Sequence, residues 1–238
     1  MLELFMNAWE IFEGDKLKGK IKPFVIVSPF GSRHFIPYML EKFESKELDL
    51  KYFDQRIWNS KDFTFIYAQV GPTNADLTVM LLKDSGAKEV ILVGSCGGLL
   101  KEMKAGDIVI PSGFYGFDSV SQFWGGKKVH EVDPELIKNF KEIAKELGIK
   151  FFSGTSATVD SLHRQTKLNL SEFSCVEMEG AVFAAAASKI GYRFGAVLWV
   201  SDVPVKGEKL REPLSKGNRE GIDKAWKIIE RYLKVRKA

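Results

Sequence analysis

Three short polar segments each follow directly after an apolar run, and they hold the side chains best suited to chemistry. They are residues 94–98 (GSCGG), 177–179 (EME) and 201–202 (SD). A glycine-rich turn would let backbone N–H groups approach an anion or a sugar closely, with the Ser95 hydroxyl as a further partner. Such a turn is equally often only structural, and this one matches neither the dinucleotide-binding fingerprint nor the lysine-containing phosphate loop.

The two acidic segments each allow two interpretations. Glu177 and Glu179 stand before a small-residue, apolar stretch that predicts a buried helix over residues 180–190. There they could cap the helix N-terminus, or one carboxylate could accept two charge-assisted hydrogen bonds from the diol of a ribose. Asp202 ends an apolar run, where a buried acid needs a partner or keeps its proton. It could be a structural turn residue or a general acid.

The elements that must position these segments alternate between strands and helices. Short apolar runs predict strands at 24–27, 63–70, 89–93, 107–110, 149–155 and 194–200, and helical patterns cover 74–82, 134–147, 180–190 and 218–235. A loop rich in glycine and aromatic residues is expected at 112–126. This alternation predicts an α/β fold with a mostly parallel or mixed sheet covered by helices. Sites in such folds lie beyond the carboxyl ends of strands, so the three polar segments should meet.

Composition limits the class of protein. The 238 residues, 45% of them hydrophobic, suit one α/β domain, which we expect to span residues 1–238. The 35 basic and 31 acidic side chains nearly balance, which argues against nucleic-acid binding. Two distant cysteines and the lack of a signal peptide or an apolar membrane span predict reduced thiols and a cytoplasmic location. Many Lys and Glu with few Asn and Gln are typical of thermophiles.

Four motifs resemble one known family in their order and spacing. Residues 94–98, 106–110 (GDIVI), 176–181 (VEMEGA) and 200–202 (VSD) are similar to motifs of the nucleoside phosphorylase/nucleosidase family, and the resemblance covers about residues 24–234. That family includes purine nucleoside phosphorylases, uridine phosphorylases and methylthioadenosine nucleosidases. The resemblance implies a mixed sheet, partly closed into a barrel and surrounded by helices. It also implies assembly as a homodimer or homohexamer.

The resemblance assigns roles to the acidic segments. It implies that Glu179 binds the 2′- and 3′-hydroxyls of a ribose, with Met178 packed against the sugar and Glu177 beside it. It implies that Asp202 protonates N7 of a departing purine. Cleavage passes through an oxocarbenium-like sugar, and neutralising the leaving base is where an acid helps most.

The resemblance also implies a phosphate site and a base site. Ser95 and Gly94 would face phosphate, which is the expected co-substrate, and no cofactor is implied. Residues 154–163 are most similar to the base-binding stretch of uridine phosphorylases, although their pyrimidine-reading Gln and Arg are not recognised after His163. The expected base-binding residues are Asp160, Leu162, Val176 and Ser201.

The residues that would supply positive charge to phosphate differ from the family pattern. Hexameric purine and uridine phosphorylases carry an arginine where this chain has Leu92, and their first phosphate loop is only partly kept at residues 28–33. Arg33 survives in that loop, and Arg56 resembles the phosphate-binding arginine donated across the dimer. Guanidinium groups hold oxyanions bidentately, so these two could suffice.

Several functions therefore stay open. The preferred reading is a purine nucleoside phosphorylase that releases the free base and ribose 1-phosphate. The alternatives are a hydrolytic nucleosidase of the adenosylhomocysteine/methylthioadenosine or futalosine type, a uridine phosphorylase-like specificity, and a nucleoside-binding protein without catalysis. His34, His130 and His163 lack the spacing of metal ligands, so no metal is expected.

Overall fold

The computed structural model describes residues 19–30, 35–48, 55–83, 85–203 and 216–236. The strands in these ranges are β1 (Phe24–Ser28), β2 (Lys46–Leu48), β3 (Arg56–Asn59), β4 (Thr64–Tyr67), β5 (Glu89–Gly98), β6 (Ile108–Val109), β7 (Gly113–Gly116), β8 (Val129–Glu131), β9 (Phe151–Phe152), β10 (Thr155–Thr158), β11 (Cys175–Glu177) and β12 (Arg193–Asp202). The helices are α1 (Phe35–Phe43), α2 (Pro72–Leu82), α3 (Ser119–Gly125), α4 (Pro134–Glu146), α5 (Leu162–Gln165), α6 (Gly180–Ile190) and α7 (Lys216–Val235).

All these strands belong to one mixed sheet that branches at β5. The main path runs β2-β3-β4-β1-β5-β11-β10-β7-β8, while β12 pairs with β5 and β6, and β6 pairs with β9. The first half of β5 lies between two parallel neighbours, β1 and β12. Its last two residues pair instead with β11, which runs antiparallel. The strands that carry the polar segments are therefore direct neighbours.

Helices cover both faces of the sheet, as the apolar runs predict. In β1, Val25 and Val27 pack into a core cluster that includes buried side chains of α2 and α6. Phe24 and Ile26 point the other way, into a cluster that includes residues of α4 and α7. This alternation is what a strand buried on both faces requires. The helix predicted over 180–190 is confirmed with the same bounds, and its small side chains are almost all buried.

The structure corrects three details of the predicted elements. Residues 94–98 do not form a turn, because β5 continues through them with ladder partners in β11 and β12. A Cβ added at Gly98 would meet Met103 and Val200 at 3.0 and 3.1 Å, so glycine there permits close packing. Likewise β12 runs on through Asp202. The expected loop at 112–126 holds β7 and α3, whose N-cap is Asp118.

Other predicted bounds shift by a few residues. The expected strand at 149–155 is divided into β9 and β10, which are separated by Ser153 and Gly154, the latter at φ 151°. The strands expected at 63–70 and 107–110 shrink to β4 and β6. Among the described helices, none combines the length and the hydropathy that a membrane span requires.

Candidate active site

The three polar segments converge on one cavity of about 310 Å³. It opens where β5, β11 and β12 lie side by side. Ser95 comes from β5, Glu177 from β11, and Ser201 and Asp202 from β12, while Glu179 stands at the start of α6. The expectation that these segments meet is therefore confirmed. The sheet brings residues more than 100 positions apart in the sequence to one place.

Asp202 enters the cavity because the end of β12 is irregular. Val200 pairs with Cys96 and Asp202 pairs with Gly97, so Ser201 is the extra residue of a β-bulge. Successive side chains of a regular strand point to opposite faces. The bulge instead lets both Ser201 and Asp202 line the cavity, and each is 6% exposed.

Ser201 links Asp202 to the backbone of β5. Its Oγ lies 2.5 Å from Oδ1 of Asp202 and 3.1 Å from the carbonyl oxygen of Cys96. A serine hydroxyl has one proton to donate, whereas a backbone carbonyl only accepts. The Ser201 hydroxyl can donate to the Asp202 carboxylate or to the Cys96 carbonyl, and both contacts hold it between the two groups.

Glu177 caps the helix that follows it. Its Oε2 accepts hydrogen bonds from the backbone N–H groups of Glu179 (2.8 Å) and Gly180 (2.6 Å), and its Oε1 accepts one from the Thr158 hydroxyl. Thr158 in turn accepts a hydrogen bond from the N–H of Ala181. The three backbone donors are free N–H groups at the start of α6, and such groups need an acceptor outside the helix. The geometry favours the capping role for Glu177 over ribose binding.

Glu179 has a different environment although it lies only two residues away. Its side chain makes no capping bond to its own helix, and its Oε1 accepts a 2.6 Å hydrogen bond from the N–H of Gly71. Burial and the neighbouring Glu177 raise the pKa of Glu179 to about 8, while burial raises the pKa of Glu177 to about 7.

The expected base-binding residues divide into two groups. Leu162 and Val176 line the cavity together with Met178, and Val176 belongs to an apolar cluster against which Met178 packs. Asp160 does not line the cavity, since its carboxylate pairs with Arg164 at 2.8 Å near the surface. The apolar wall suits the face of a planar base.

Of the expected phosphate-binding residues, Ser95 alone is placed on the cavity wall among those the structure describes. Gly94 lies deeper in β5, where an added Cβ would meet Pro29 at 3.4 Å. Arg56 lies on the surface, bound through two hydrogen bonds of 2.7 and 2.8 Å to Glu47. Arg33 lies outside the described residues. Leu92 is 1% exposed and packs in the core cluster on the α2 and α6 side of the sheet.

Several cavity residues were not recognised from the sequence. Gln165 lines the wall from α5, two residues after His163, and no periodic signal marks it. Val70 and Asn218 come from chain segments far from the motifs. Phe30 contacts the ring of Trp199 edge-on, with the ring centroids 5.4 Å apart. Its position directly after the first strand is the signal that could have identified it. The remaining lining residues, Pro29, Cys96, Gly97 and Val159, lie within the predicted segments 28–33, 94–98 and 154–163 but were not named individually.

No histidine of the described residues lines the cavity. In the described part of the chain, His, Cys, Asp and Glu form no group of three or more that could hold a metal ion. His130 is 6% exposed and His163 lies on the surface, whereas His34 falls outside the described residues.

Comparisons with known proteins identify the family of this chain. A family model described as the phosphorylase superfamily matches residues 34–234. The DeoD-type purine nucleoside phosphorylase of Oceanobacillus iheyensis is 26% identical over 137 residues, which cover 54% of this chain and 58% of that protein. The 5′-methylthioadenosine/S-adenosylhomocysteine nucleosidase of Bacillus pumilus is 28% identical over 170 residues, covering 65% and 74%. The alignment thus spans little more than half the length of the phosphorylase.

The fold has a known counterpart over nearly the whole chain. The crystal structure of purine nucleoside phosphorylase from Toxoplasma gondii in complex with immucillin-H superposes with a TM-score of 0.76 and 21% identity, covering 90% of each chain. The family match covers most of the sequence, and it includes all the cavity-lining residues that follow Phe30 in the chain. This chain therefore belongs to the phosphorylase superfamily.

Proposed function

We propose that this protein cleaves the N-glycosidic bond of a purine nucleoside, with inorganic phosphate as the acceptor. The observation that carries the proposal is the presence of two buried carboxyl groups, Glu179 and Asp202, in different hydrogen-bonding environments on one largely apolar cavity. Paired acids whose surroundings differ are suited to different tasks. Here one task is to hold the sugar and the other is to supply a proton.

The reaction follows from these two positions. The planar base lies against Val176 and Leu162, and the ribose hydroxyls bind to Glu179. As the bond from C1′ to the base nitrogen breaks, its electron pair moves to the base, and Asp202 delivers a proton to N7. Ser201, bound to Asp202 and to the carbonyl of Cys96, keeps the carboxyl group oriented for that transfer. A phosphate oxygen then forms the new bond to C1′, which gives ribose 1-phosphate.

The positive charge for phosphate is assigned to Arg33 and Arg56, with the Ser95 hydroxyl on the cavity wall. Arg56 lies on the surface, beside Glu47, so in this proposal it serves the cavity of a neighbouring copy in a homodimer or homohexamer. The similarity to purine nucleoside phosphorylases supports this choice of acceptor.

Hydrolysis is the second candidate, and two observations favour it. No lysine or arginine occurs among the described residues that line the cavity, and Leu92 is packed into the core. The similarity to a methylthioadenosine/adenosylhomocysteine nucleosidase points in the same direction. In that case water, and not phosphate, attacks C1′. A uridine-type specificity is the third candidate, because residues 154–163 resemble the base-binding stretch of uridine phosphorylases and Gln165 lines the cavity.

One experiment separates these functions. The purified protein is incubated with a panel of purine and pyrimidine nucleosides, including 5′-methylthioadenosine, with and without phosphate, and the sugar product is identified. We expect purine release that depends on phosphate and yields ribose 1-phosphate. Free ribose formed at the same rate without phosphate would establish the hydrolase. Binding of a nucleoside without any cleavage would indicate a non-catalytic binding protein.

A further inference from the structure

The loop that joins β4 to α2 has an unusual backbone conformation. Gln69 has φ 62° and Gly71 has φ 105°, so two of three consecutive residues occupy the left-handed half of conformational space. That region is disfavoured for residues with a Cβ and is open to glycine. Pro72 then starts α2 with its fixed φ. Strained backbone of this kind is often kept where it serves a function.

A backbone N–H group of this loop donates a hydrogen bond to the Glu179 side chain. The N–H of Gly71, the N-cap residue of α2, donates to Oε1 of Glu179 at 2.6 Å. Glu179 is itself the N-cap residue of α6, but Glu177 accepts the free N–H groups of that helix. The N-termini of α2 and α6 therefore meet at the Glu179 carboxyl group, where their partial positive charges favour its ionised form.

We propose that the loop of residues 69–71 is a backbone clamp that orients the Glu179 carboxyl group toward the sugar, with Gly71 as its positioning residue. The inference rests on the proposed function of Glu179. A glutamate side chain turns freely about three bonds unless something holds it. The Gly71 N–H occupies one acceptor position of Oε1, the Met178 backbone also donates to this carboxyl group, and its other acceptor positions can receive the sugar hydroxyls. Val70, between the two strained residues, is 55% exposed and lines the same cavity.

The clamp can be loosened without adding a steric clash. A Cβ built on Gly71 has no atom within 4 Å, so Gly71→Ala acts through the strained φ of 105° alone. We expect the KM for ribosides to rise about tenfold, the scale of one hydrogen bond to a charged group, while kcat changes less. For 2′-deoxyribosides, which offer only one of the two hydroxyls, the KM should change much less. Gln69→Val, which places a β-branched residue at φ 62°, should act in the same direction.

A matched control exists at the end of α3. Gly126 follows that helix with φ 79° and ψ 178°, close to the φ 105° and ψ 159° of Gly71, and a Cβ there also has no atom within 4 Å. Gly126→Ala therefore introduces backbone strain of the same kind at a residue that does not line the cavity. It should leave the ratio of riboside to 2′-deoxyriboside KM unchanged. An equal change of that ratio in the control would overturn the clamp, because general destabilisation would then explain the effect.

A measurement that does not depend on activity separates the clamp from the proposed function. In protein with isotope-labelled glycine, the amide resonance of Gly71, identified by its loss in Gly71→Ala, should shift with pH as Glu179 titrates near pH 8. Glu179→Gln should abolish that shift. A Gly71 amide that does not titrate overturns the clamp while the proposed function stands. A wild-type protein that cleaves no nucleoside overturns the function and, with it, the sugar-binding purpose of the clamp.

Discussion

The Ser201 hydroxyl lies 2.5 Å from Oδ1 of Asp202, a distance typical of a strong hydrogen bond to a carboxyl group. The same hydroxyl contacts the carbonyl oxygen of Cys96 in the neighbouring strand. Ser201 thereby ties the Asp202 carboxyl group to the rigid centre of the sheet. Catalytic groups need such support, because small errors in their position reduce the rate steeply.

Loss of this tie should slow the reaction without weakening binding. We expect Ser201→Ala to lower kcat about tenfold while the KM for the nucleoside changes less than about threefold, as for an interaction that matters mainly in the transition state. Ser121→Ala is the matched control, because Ser121 donates a similar 2.6 Å hydrogen bond to Asp118 and does not line the cavity. Steady-state kinetics of both variants tests this, and equal losses of kcat would contradict it.

Removal of the acid itself should be far more costly. Asp202→Asn cannot deliver a proton, so we expect kcat on purine nucleosides to fall by about two to four orders of magnitude, with a smaller effect on binding. Single-turnover kinetics together with nucleoside affinity measures the two effects separately. Turnover close to that of the wild type would remove Asp202 from the mechanism and reopen the pyrimidine specificity.

The sugar-binding role of Glu179 predicts a dependence on the 2′-hydroxyl. Glu179→Gln replaces an acceptor oxygen with a donor, so ribosides should lose much more kcat/KM than 2′-deoxyribosides, with about a tenfold difference for one charge-assisted hydrogen bond. The assay compares each riboside with its deoxy analogue in the same variant. Equal losses on both would show that Glu179 has only a structural role.

The buried acids predict how stability depends on pH. Burial raises the pKa of Glu177 from the ordinary value of 4.5 to about 7 and that of Glu179 to about 8. Between the ordinary pKa and these raised values, the folded state binds more protons than the unfolded state. The free energy of unfolding should therefore fall as pH rises from about 5 to about 8. Urea unfolding at several pH values should show a shallower fall for Glu177→Gln. Glu131→Gln, at an exposed position, serves as the control, and an unchanged slope in Glu177→Gln would contradict the assignment.

The phosphate assignment predicts that activity is shared between copies of the chain. Arg56→Ala should raise the KM for phosphate and leave nucleoside binding almost unchanged, whereas Glu47→Ala, which removes the surface partner of Arg56, should not raise it. Mixing Arg56→Ala with Arg33→Ala protein should restore part of the activity if each cavity takes arginines from two chains. Activity that is independent of phosphate in the wild type would contradict this assignment and favour the nucleosidase.

Much of the fold was determined by local patterns in the sequence. The apolar runs at 24–27 and 89–93 lie in strands that are buried on both faces, because such runs have no polar side to expose. The helix over 180–190 has its predicted bounds, since its small residues and the glycine after it act within a few positions. The four motifs at 94–98, 106–110, 176–181 and 200–202 and their order were also visible, and together they suggested the family.

Only the tertiary structure decided what each acidic residue contacts. Glu177 and Glu179 are the same residue type two positions apart, yet one caps α6 and the other receives the Gly71 N–H from a loop 108 residues away. Residues 94–98 form a strand and not a turn because β11 and β12, both distant in sequence, supply their ladder partners. Gln165 and Asn218 reach the cavity for the same reason. Hydrogen-bond partners and cavity walls come from long-range packing, which local sequence patterns do not encode.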